Sequence, residues 1–238
     1  MDVPLVLALA TLFRSMFGFG EALVAVPLLA LCMPLQEAAP LAVLLSVVIA
    51  TLVLLQDWRD VHWRSAAGLI GATVLGIPLG LALLTCPHPR AVRVALALLI
   101  IVFSLWSLTR RAPVKLTTDR PAWILACGFL AGLLGGAFGM NGPPLVVYGG
   151  MRRWSPVRFR ATLQAYFLPA SLLGMVGYGL DGLWVPAITH QLWVSLPWVV
   201  PAIWLGRVLN RRFHPETFIR YAYIGLTAIG VLLLEQSL

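Results

Sequence analysis

A glycine-broken apolar segment occurs twice in this chain, about half the chain apart. The first copy runs from Leu9 to Glu21 as LATLFRSMFGFGE, and the second from Leu130 to Gly142 as LAGLLGGAFGMNG. The identical aligned pairs are Leu9 and Leu130, Ala10 and Ala131, Leu12 and Leu133, Phe17 and Phe138, and Gly18 and Gly139. In lipid, a backbone can leave the helix only where protein or a water-filled cavity satisfies its polar groups. The duplicated break therefore constrains the fold strongly.

The composition indicates a membrane protein. Hydrophobic residues make up 60% of the chain and charged residues 11%, whereas soluble domains carry roughly a quarter charged residues. Apolar runs long enough to span a bilayer recur along the whole length. They are Pro40–Leu55, Ser65–Leu84, Ala91–Leu108, Thr162–Leu180, Leu192–Leu209 and Tyr221–Leu234, besides the broken segments Val3–Met33 and Ala122–Gly150. The sequence therefore predicts an all-α polytopic protein whose surroundings are the lipid bilayer.

The distribution of charged and reactive residues argues against several functional classes. The net charge is +8, and the basic residues lie in short loops between apolar segments. This pattern sets membrane orientation, so we predict no nucleic-acid partner. The three cysteines and four histidines lack the spacing of metal ligands, and there is no nucleotide loop or nucleophile motif. We expect no metal, no cofactor and no enzymatic activity.

The duplication continues beyond the broken segments. Further corresponding pairs are Asp60 and Asp181, Trp63 and Trp184, and Gly80 and Gly206. We therefore divide one transmembrane domain, 1–238, into repeat one at 1–109, a cytoplasmic linker at 110–120 and repeat two at 121–238. Each repeat consists of a broken segment followed by three further helices.

The basic residues indicate which way the segments run. If every segment crosses the membrane, the basic loop residues divide between the two faces with only a weak bias. If the two broken segments are re-entrant hairpins, one face holds all of them except Arg90 and Arg93, and Arg14 lies within the membrane. The positive-inside rule favours the second arrangement. It leaves three crossings in each half, so the second repeat is inverted, both termini lie outside and the linker is cytoplasmic.

In this arrangement the turns Phe17–Glu21 and Phe138–Pro144 are predicted to meet near the bilayer midplane. A helix start offers unpaired backbone N–H groups and the positive end of a dipole, and both favour an anion. Glycines in the turns let the backbone approach a small ligand closely. Small residues also serve helix packing in membranes, which is our interpretation of the scattered glycines Gly71, Gly76 and Gly174.

Arg14 and Glu21 are the ionisable residues of the first broken segment. Charge at this depth is costly and marks a ligand or ion pathway. Alternatively, the two side chains pair with each other or extend toward the interface. Their repeat partners are Gly135 and Gly142, so the architecture does not require charge at these positions. Because desolvation favours a neutral carboxyl, we predict that Glu21 couples proton movement to anion movement.

Uncharged polar groups complete the predicted anion site. Asn141, Gln164 and Tyr166 could hydrogen-bond an oxyanion, and Gln164 and Tyr166 could equally hold helices together. The predicted substrate-binding residues are Arg14, Phe17, Gly18, Gly20, Glu21, Ala22, Phe138, Gly139, Met140, Asn141, Gly142, Pro143, Pro144, Gln164 and Tyr166.

At these residues the chain resembles the sulfite exporter TauE/SafE family of membrane permeases, over essentially its whole length. The resemblance is carried by the duplicated glycine-rich segment, the proline-rich start of the returning arm and the two four-segment halves. Its best motif is Gly135–Pro144, GGAFGMNGPP. The resemblance implies transport of small sulfur-containing anions such as sulfite and organosulfonates, often as export. The stretch Gly18–Ala22, GFGEA, departs from the family's usual run of glycines, which leaves the substrate open.

These features together predict a secondary transporter of small anions in the inner membrane of the cell. It would work by alternating access around the two hairpins. A passive anion or proton channel and a membrane accessory protein without transport are the alternatives. Saturable exchange would argue against the channel, and the matched pair of helix breaks argues against the accessory protein. A homodimer is compatible with the sequence.

Overall fold

The computed structural model describes residues 2–109, 116, 119–212 and 215–237, so most of the predicted linker 110–120 lies outside the described residues. In the described part the chain forms ten α-helices and no strand. They are α1 Val3–Phe17, α2 Glu21–Ala30, α3 Leu35–Asp57, α4 Trp63–Leu84, α5 Pro89–Thr109, α6 Pro121–Phe138, α7 Gly142–Met151, α8 Pro156–Leu180, α9 Pro186–Arg212 and α10 Pro215–Glu235. By length and composition α3, α4, α5, α6 and α8 can each cross a membrane. The fold is all-α and polytopic, as the composition predicts.

A helix break occurs at each of the two predicted turns. Helices α1 and α2 are separated by Gly18–Gly20, in which both glycines are left-handed, with φ of 83° and 97°. Helices α6 and α7 are separated by Gly139–Asn141, and Gly139 has a φ of 66°. This conformation costs residues with a side chain roughly 1–2 kcal/mol. Both breaks therefore depend on glycine at the same aligned position, Gly18 in one half and Gly139 in the other.

The helix before each break is longer than the half-membrane limb that the sequence predicts. Helices α2 and α7 have 10 residues each, which is about half a bilayer. Helices α1 and α6 have 15 and 18 residues, and 18 residues extend over about 27 Å. The longer limbs form because each of them packs along a full-length helix of the other half.

Helix α6 packs closely along α4 through small residues. A Cβ on Gly76 would lie 2.2 Å from the carbonyl oxygen of Phe129, and one on Gly80 would lie 2.2 Å from that of Leu133. Residue numbers rise together along both helices, so α4 and α6 run parallel. Any side chain at these glycines would push the two backbones apart, which is the usual role of small residues between membrane helices.

The same contact recurs between α1 and α9. A Cβ on Gly206 would lie 2.5 Å from the Ser15 Cβ and 2.9 Å from the Leu12 carbonyl oxygen. Gly206 is the repeat partner of Gly80, and Leu12 is the repeat partner of Leu133. The duplication seen in the sequence therefore extends to the packing of the helices.

Packing does not explain every scattered glycine. Gly76 is a packing residue, and a Cβ on Gly174 would make an ordinary contact with Val43 at 3.7 Å. Around Gly71 no described atom beyond its chain neighbours and its own helix backbone lies within 4 Å of where a Cβ would stand. Among the described residues Gly71 therefore has no packing partner that would require glycine.

The repeat partners α3 and α8 lie against each other in opposite directions. Arg160, near the start of α8, pairs with Asp57, the last residue of α3. Farther along α8, Gly174 lies beside Val43, which belongs to the first half of α3. Equivalent helices of the two halves therefore run antiparallel where they meet.

A polar cluster joins the end of α7 to the start of α6. Asp119, two residues before α6, accepts hydrogen bonds from the hydroxyls of Tyr148 at 2.7 Å and Ser65 at 3.0 Å. Its carboxylate is also 2.9 Å from the Arg152 guanidinium. Burial raises the pKa of Asp119, but these hydrogen bonds and the arginine outweigh it and hold the pKa below its ordinary value. Helix α7 thus returns to the end of the fold at which α6 begins.

Candidate functional site

A small cavity, the central cavity, lies between the two helix breaks. It is lined by Gly20–Leu23 at the start of α2, by Gly139–Gly142 at the start of α7, and by Ser46 and Phe167. Its volume is about 10 Å³, which is room for one water molecule. The structure thus brings the two predicted turns to one place, and it encloses little space there.

Ser46 and Phe167 show where along the helices this cavity lies. Ser46 is midway along α3, and Phe167 is midway along α8. The two residues are also repeat partners, since the same spacing separates Gly18 and Gly139. The cavity therefore lies where the two halves meet, about halfway along the two longest helices around it.

Arg14 is the charged centre of this region. It is 1% exposed, pairs with the carboxylate of Glu21, and donates hydrogen bonds to Ser46 at 2.7 Å and Gln164 at 2.5 Å. Its guanidinium carbon is 4.7 Å from the centre of the Phe167 ring, an arrangement with a favourable cation–π component. Arg14 therefore joins residues of both halves beside the cavity.

Of the two interpretations of the charged residues, pairing is what the structure shows. Arg14 and Glu21 are in direct contact, and Glu21 also lines the cavity at the first position of α2. A buried charge pair is costly unless further hydrogen bonds satisfy it. Here the additional partners of Arg14 supply them, so the pair is compatible with a ligand site at the same place.

Gln164 holds the first turn in position. Its side-chain nitrogen donates to the Gly18 carbonyl oxygen at 2.8 Å, and its oxygen accepts from Arg14. One side chain of α8 thus fixes both the helix break and the guanidinium. Gln164 joins helices together and holds Arg14 beside the candidate site, although it does not line the cavity.

Tyr166 lies outside the cavity lining. Its hydroxyl is 2.5 Å from the Thr73 hydroxyl, which donates to the Gly128 carbonyl oxygen at 2.9 Å. It also hydrogen-bonds the side chain of Asn141. Tyr166 therefore links α4, α6 and α8, and it reaches the cavity only through Asn141.

Some of the remaining predicted residues line the cavity, and the others form the turns around it. Gly20, Glu21, Ala22, Gly139, Met140, Asn141 and Gly142 line the cavity. Phe17, Gly18, Phe138, Pro143 and Pro144 form the surrounding turns but do not line it. Three lining residues were not predicted: Leu23, Ser46 and Phe167. A polar serine inside the apolar segment Pro40–Leu55 was the signal for one of them.

No metal centre is formed by the described residues, in which no three His, Cys, Asp or Glu side chains come together. The described donors beside the cavity are a guanidinium, hydroxyl and amide groups, and the backbone at two helix starts. This set suits an anion with several oxygen acceptors.

A model of the sulfite exporter TauE/SafE family matches residues 3–233. The chain belongs to this family. It is similar to the probable sulfite/organosulfonate exporter TauE of Cupriavidus necator, with 26% identity over all of this chain and 94% of that protein. It is also similar to the probable membrane transporter protein YunE of Bacillus subtilis, with 28% identity over 48% of this chain and 41% of that protein. No solved structure matches.

Membership in the TauE/SafE family makes this chain a multi-pass membrane transporter. The broken segments that identify it in the sequence lie within the matched range. The family is one of transporters and not of enzymes.

Proposed function

We propose that this TauE/SafE protein is a secondary transporter of small sulfur-containing oxyanions, such as sulfite or a sulfonate, in the inner membrane of the cell. The observation that carries the proposal is the buried guanidinium of Arg14 beside a cavity lined by both helix breaks. Charge buried at membrane depth is costly and is characteristic of substrate or ion pathways. The name of the Cupriavidus necator relative points to the same class of anion.

The backbone around the cavity adds to the attraction of Arg14. Helix α2 starts at Glu21 and α7 at Gly142, and both starts line the cavity. The first N–H groups of a helix have no partner within it, and the helix dipole places partial positive charge there. An oxyanion between the two starts would meet donors from both halves of the protein.

Substrate binding requires the hairpins to separate. The cavity has room for about one water molecule, and a sulfite ion has four heavy atoms. Opening toward one face and then the other, with the α1–α2 and α6–α7 hairpins moving against the remaining helices, is alternating access of the kind found in transporters with broken helices.

The proposed topology has two inverted repeats, each with one re-entrant hairpin and three crossings. It is supported by the antiparallel packing of α3 and α8, and by the return of α7 to Asp119 beside the start of α6. Both termini lie outside and the linker 110–120 lies in the cytoplasm.

Reporter fusions in the linker and at the C-terminus should report opposite faces of the membrane. Three crossings between the two points produce this result, whereas four crossings would put both on one face. A fusion after Trp154, in the loop between α7 and α8, is a second test and should match the linker only if the α6–α7 segment is re-entrant. A linker and a C-terminus on the same face would contradict the re-entrant arrangement.

We further propose that Glu21 couples the anion to a proton. Glu21 and the substrate are both anionic, and both require Arg14. Protonation of Glu21 would release the guanidinium for the substrate, so anion and proton would bind together. The driving force would then be the proton gradient or the gradient of the substrate.

Sulfite should raise the melting temperature of the purified protein by about 5 to 10 °C at a hundredfold excess over its dissociation constant. Thiosulfate, a simple sulfonate and acetate complete the screen. Gly142→Val should abolish the shift, because a Cβ there has ordinary contact with Phe19 at 3.8 Å and the larger side chain fills the cavity. Gly71→Val is the matched control, since open space surrounds that position.

Two results would count against this proposal. If no anion in the screen stabilises the wild type, the substrate class is wrong. If Gly142→Val responds to sulfite as strongly as Gly71→Val does, the anion binds elsewhere.

A further inference from the structure

A second cavity lies beside Arg14 and, like the first, has room for about one water molecule. Its lining residues are Arg14, Ser15, Val53, Arg160, Gln164 and Ile203. Neither Arg14 nor Gln164 lines the first cavity, but Arg14 is bonded to Glu21 and Ser46, which do. Arg160 also lines this cavity. It lies near the start of α8, at the end of the fold that is predicted to face the cytoplasm. The sequence gives no indication of this cavity, because its residues come from four separate helices.

Two hydrogen-bond donors at this cavity are buried without a partner. The Nε of Arg14 and the hydroxyl of Ser15 have no hydrogen-bond partner among the described residues, and these residues are 1% and 4% exposed. A buried donor left without an acceptor costs roughly 1–3 kcal/mol. Both groups therefore favour an acceptor in the cavity that they line.

Arg160, which lines this cavity, is also in an ion pair that reaches solvent. Arg160 donates to one carboxylate oxygen of Asp57 from its Nε at 2.9 Å and from its Nη2 at 2.5 Å. The two side chains are 22% and 19% exposed. The stem of Arg160 also lies against the first helix break, since a Cβ on Gly18 would be 2.8 Å from its Cγ. Arg160 is thus in contact with solvent, with the cavity and with the turn.

The repeat-related positions lack these groups. The positions that correspond to Arg160, Ser15 and Asp57 hold Ala39, Gly136 and Tyr178. The helix break of the second repeat still packs in the same way, because a Cβ on Gly139 would lie 3.1 Å from the Ala39 carbonyl oxygen. The architecture therefore does not need a charged pair at this place.

We propose that this second cavity is an anion site at the cytoplasmic end of the transport path, for the same small oxyanions as the central cavity. Arg160 binds the anion when the anion enters or leaves at the cytoplasmic face. In doing so Arg160 gives up part of its contact with Asp57. Ser15 and the Nε of Arg14 donate to the anion as it passes to or from the central cavity. This inference rests on the proposed function. It adds residues that bind the anion at the cytoplasmic face only.

Sulfite exchange in proteoliposomes of defined orientation tests the site, with the sulfite concentration varied on one face at a time. Arg160→Ala should raise the KM for sulfite about tenfold on the cytoplasmic face, as expected for a lost charge-assisted hydrogen bond, and leave the KM on the other face unchanged. Asp57→Asn should lower the cytoplasmic KM, because it removes the carboxylate that competes for Arg160. Arg158→Ala, an exposed arginine two residues away on α8, should match the wild type.

The two variants are expected to change the cytoplasmic KM in opposite directions, which separates a binding role of the ion pair from a structural one. If Arg160→Ala and Asp57→Asn impair exchange alike and from both faces, the ion pair only holds α3 to α8, and the inference fails while the proposed function stands. If the wild type exchanges neither sulfite nor a simple sulfonate, the proposed function and this inference both fail.

Discussion

Replacing Arg14 with glutamine should reduce sulfite transport to the level of protein-free liposomes. The guanidinium lines the second cavity and bonds to Glu21 and Ser46, which line the first. A neutral amide has neither its charge nor its number of donors. The variant should also lose about 3 to 5 kcal/mol of stability, because Glu21 is left buried without its partner. Thermal unfolding and initial transport rates measure the two effects separately.

The double variant Arg14→Gln with Glu21→Gln distinguishes the two effects. Removing both charges eliminates the unpaired carboxylate, so much of the lost stability should return while transport stays absent. The second repeat supports this expectation, because it forms the equivalent turn with Gly135 and Gly142 in these positions. Transport by the double variant at a wild-type rate would mean that Arg14 serves the fold and not the substrate.

The helix breaks were predictable because they depend on local chemistry. A left-handed backbone requires glycine, and Gly18 and Gly139 stand at the same place in two aligned segments. The correspondence of Gly80 and Gly206 was also visible in the sequence, and the structure gives both the same close contact with a neighbouring helix. Because the sequence is duplicated, these positions could be predicted without any knowledge of tertiary packing.

The lining of the cavities was only partly predictable. In a membrane helix nearly every face is apolar, so hydropathy does not tell which face of α3 or α8 points inward. Ser46 and Phe167 reach the central cavity through the packing of these two helices, which the sequence does not specify. For Tyr166 the sequence leaves a ligand role and a contact between helices equally open, and the structure shows its contact with Thr73.

The lengths of the hairpin limbs show a similar limit. Half a bilayer predicts about ten residues for each limb, and α2 and α7 have that length. Helix α6 extends to 18 residues because its glycines let it lie against α4 along most of its length. Bilayer thickness alone therefore does not predict the length of α6.

The substitution Glu21→Gln should uncouple anion movement from proton movement. Glutamine resembles the protonated carboxyl in shape and does not compete with the anion for Arg14, so sulfite binding and sulfite exchange should persist. Uptake driven by an imposed pH gradient should fall to the level of protein-free liposomes, and the pH dependence of exchange should flatten.

Reconstituted liposomes separate these activities, because exchange needs no gradient and net uptake does. Glu37→Gln is the matched control: it makes the same chemical change in the first turn of α3, outside the cavity lining, and should leave gradient-driven uptake intact. Its exchange should also keep the pH dependence of the wild type. If Glu21→Gln also transports sulfite with unchanged pH dependence, Glu21 is only the structural partner of Arg14. The proton would then have to enter the cycle at another group or not at all.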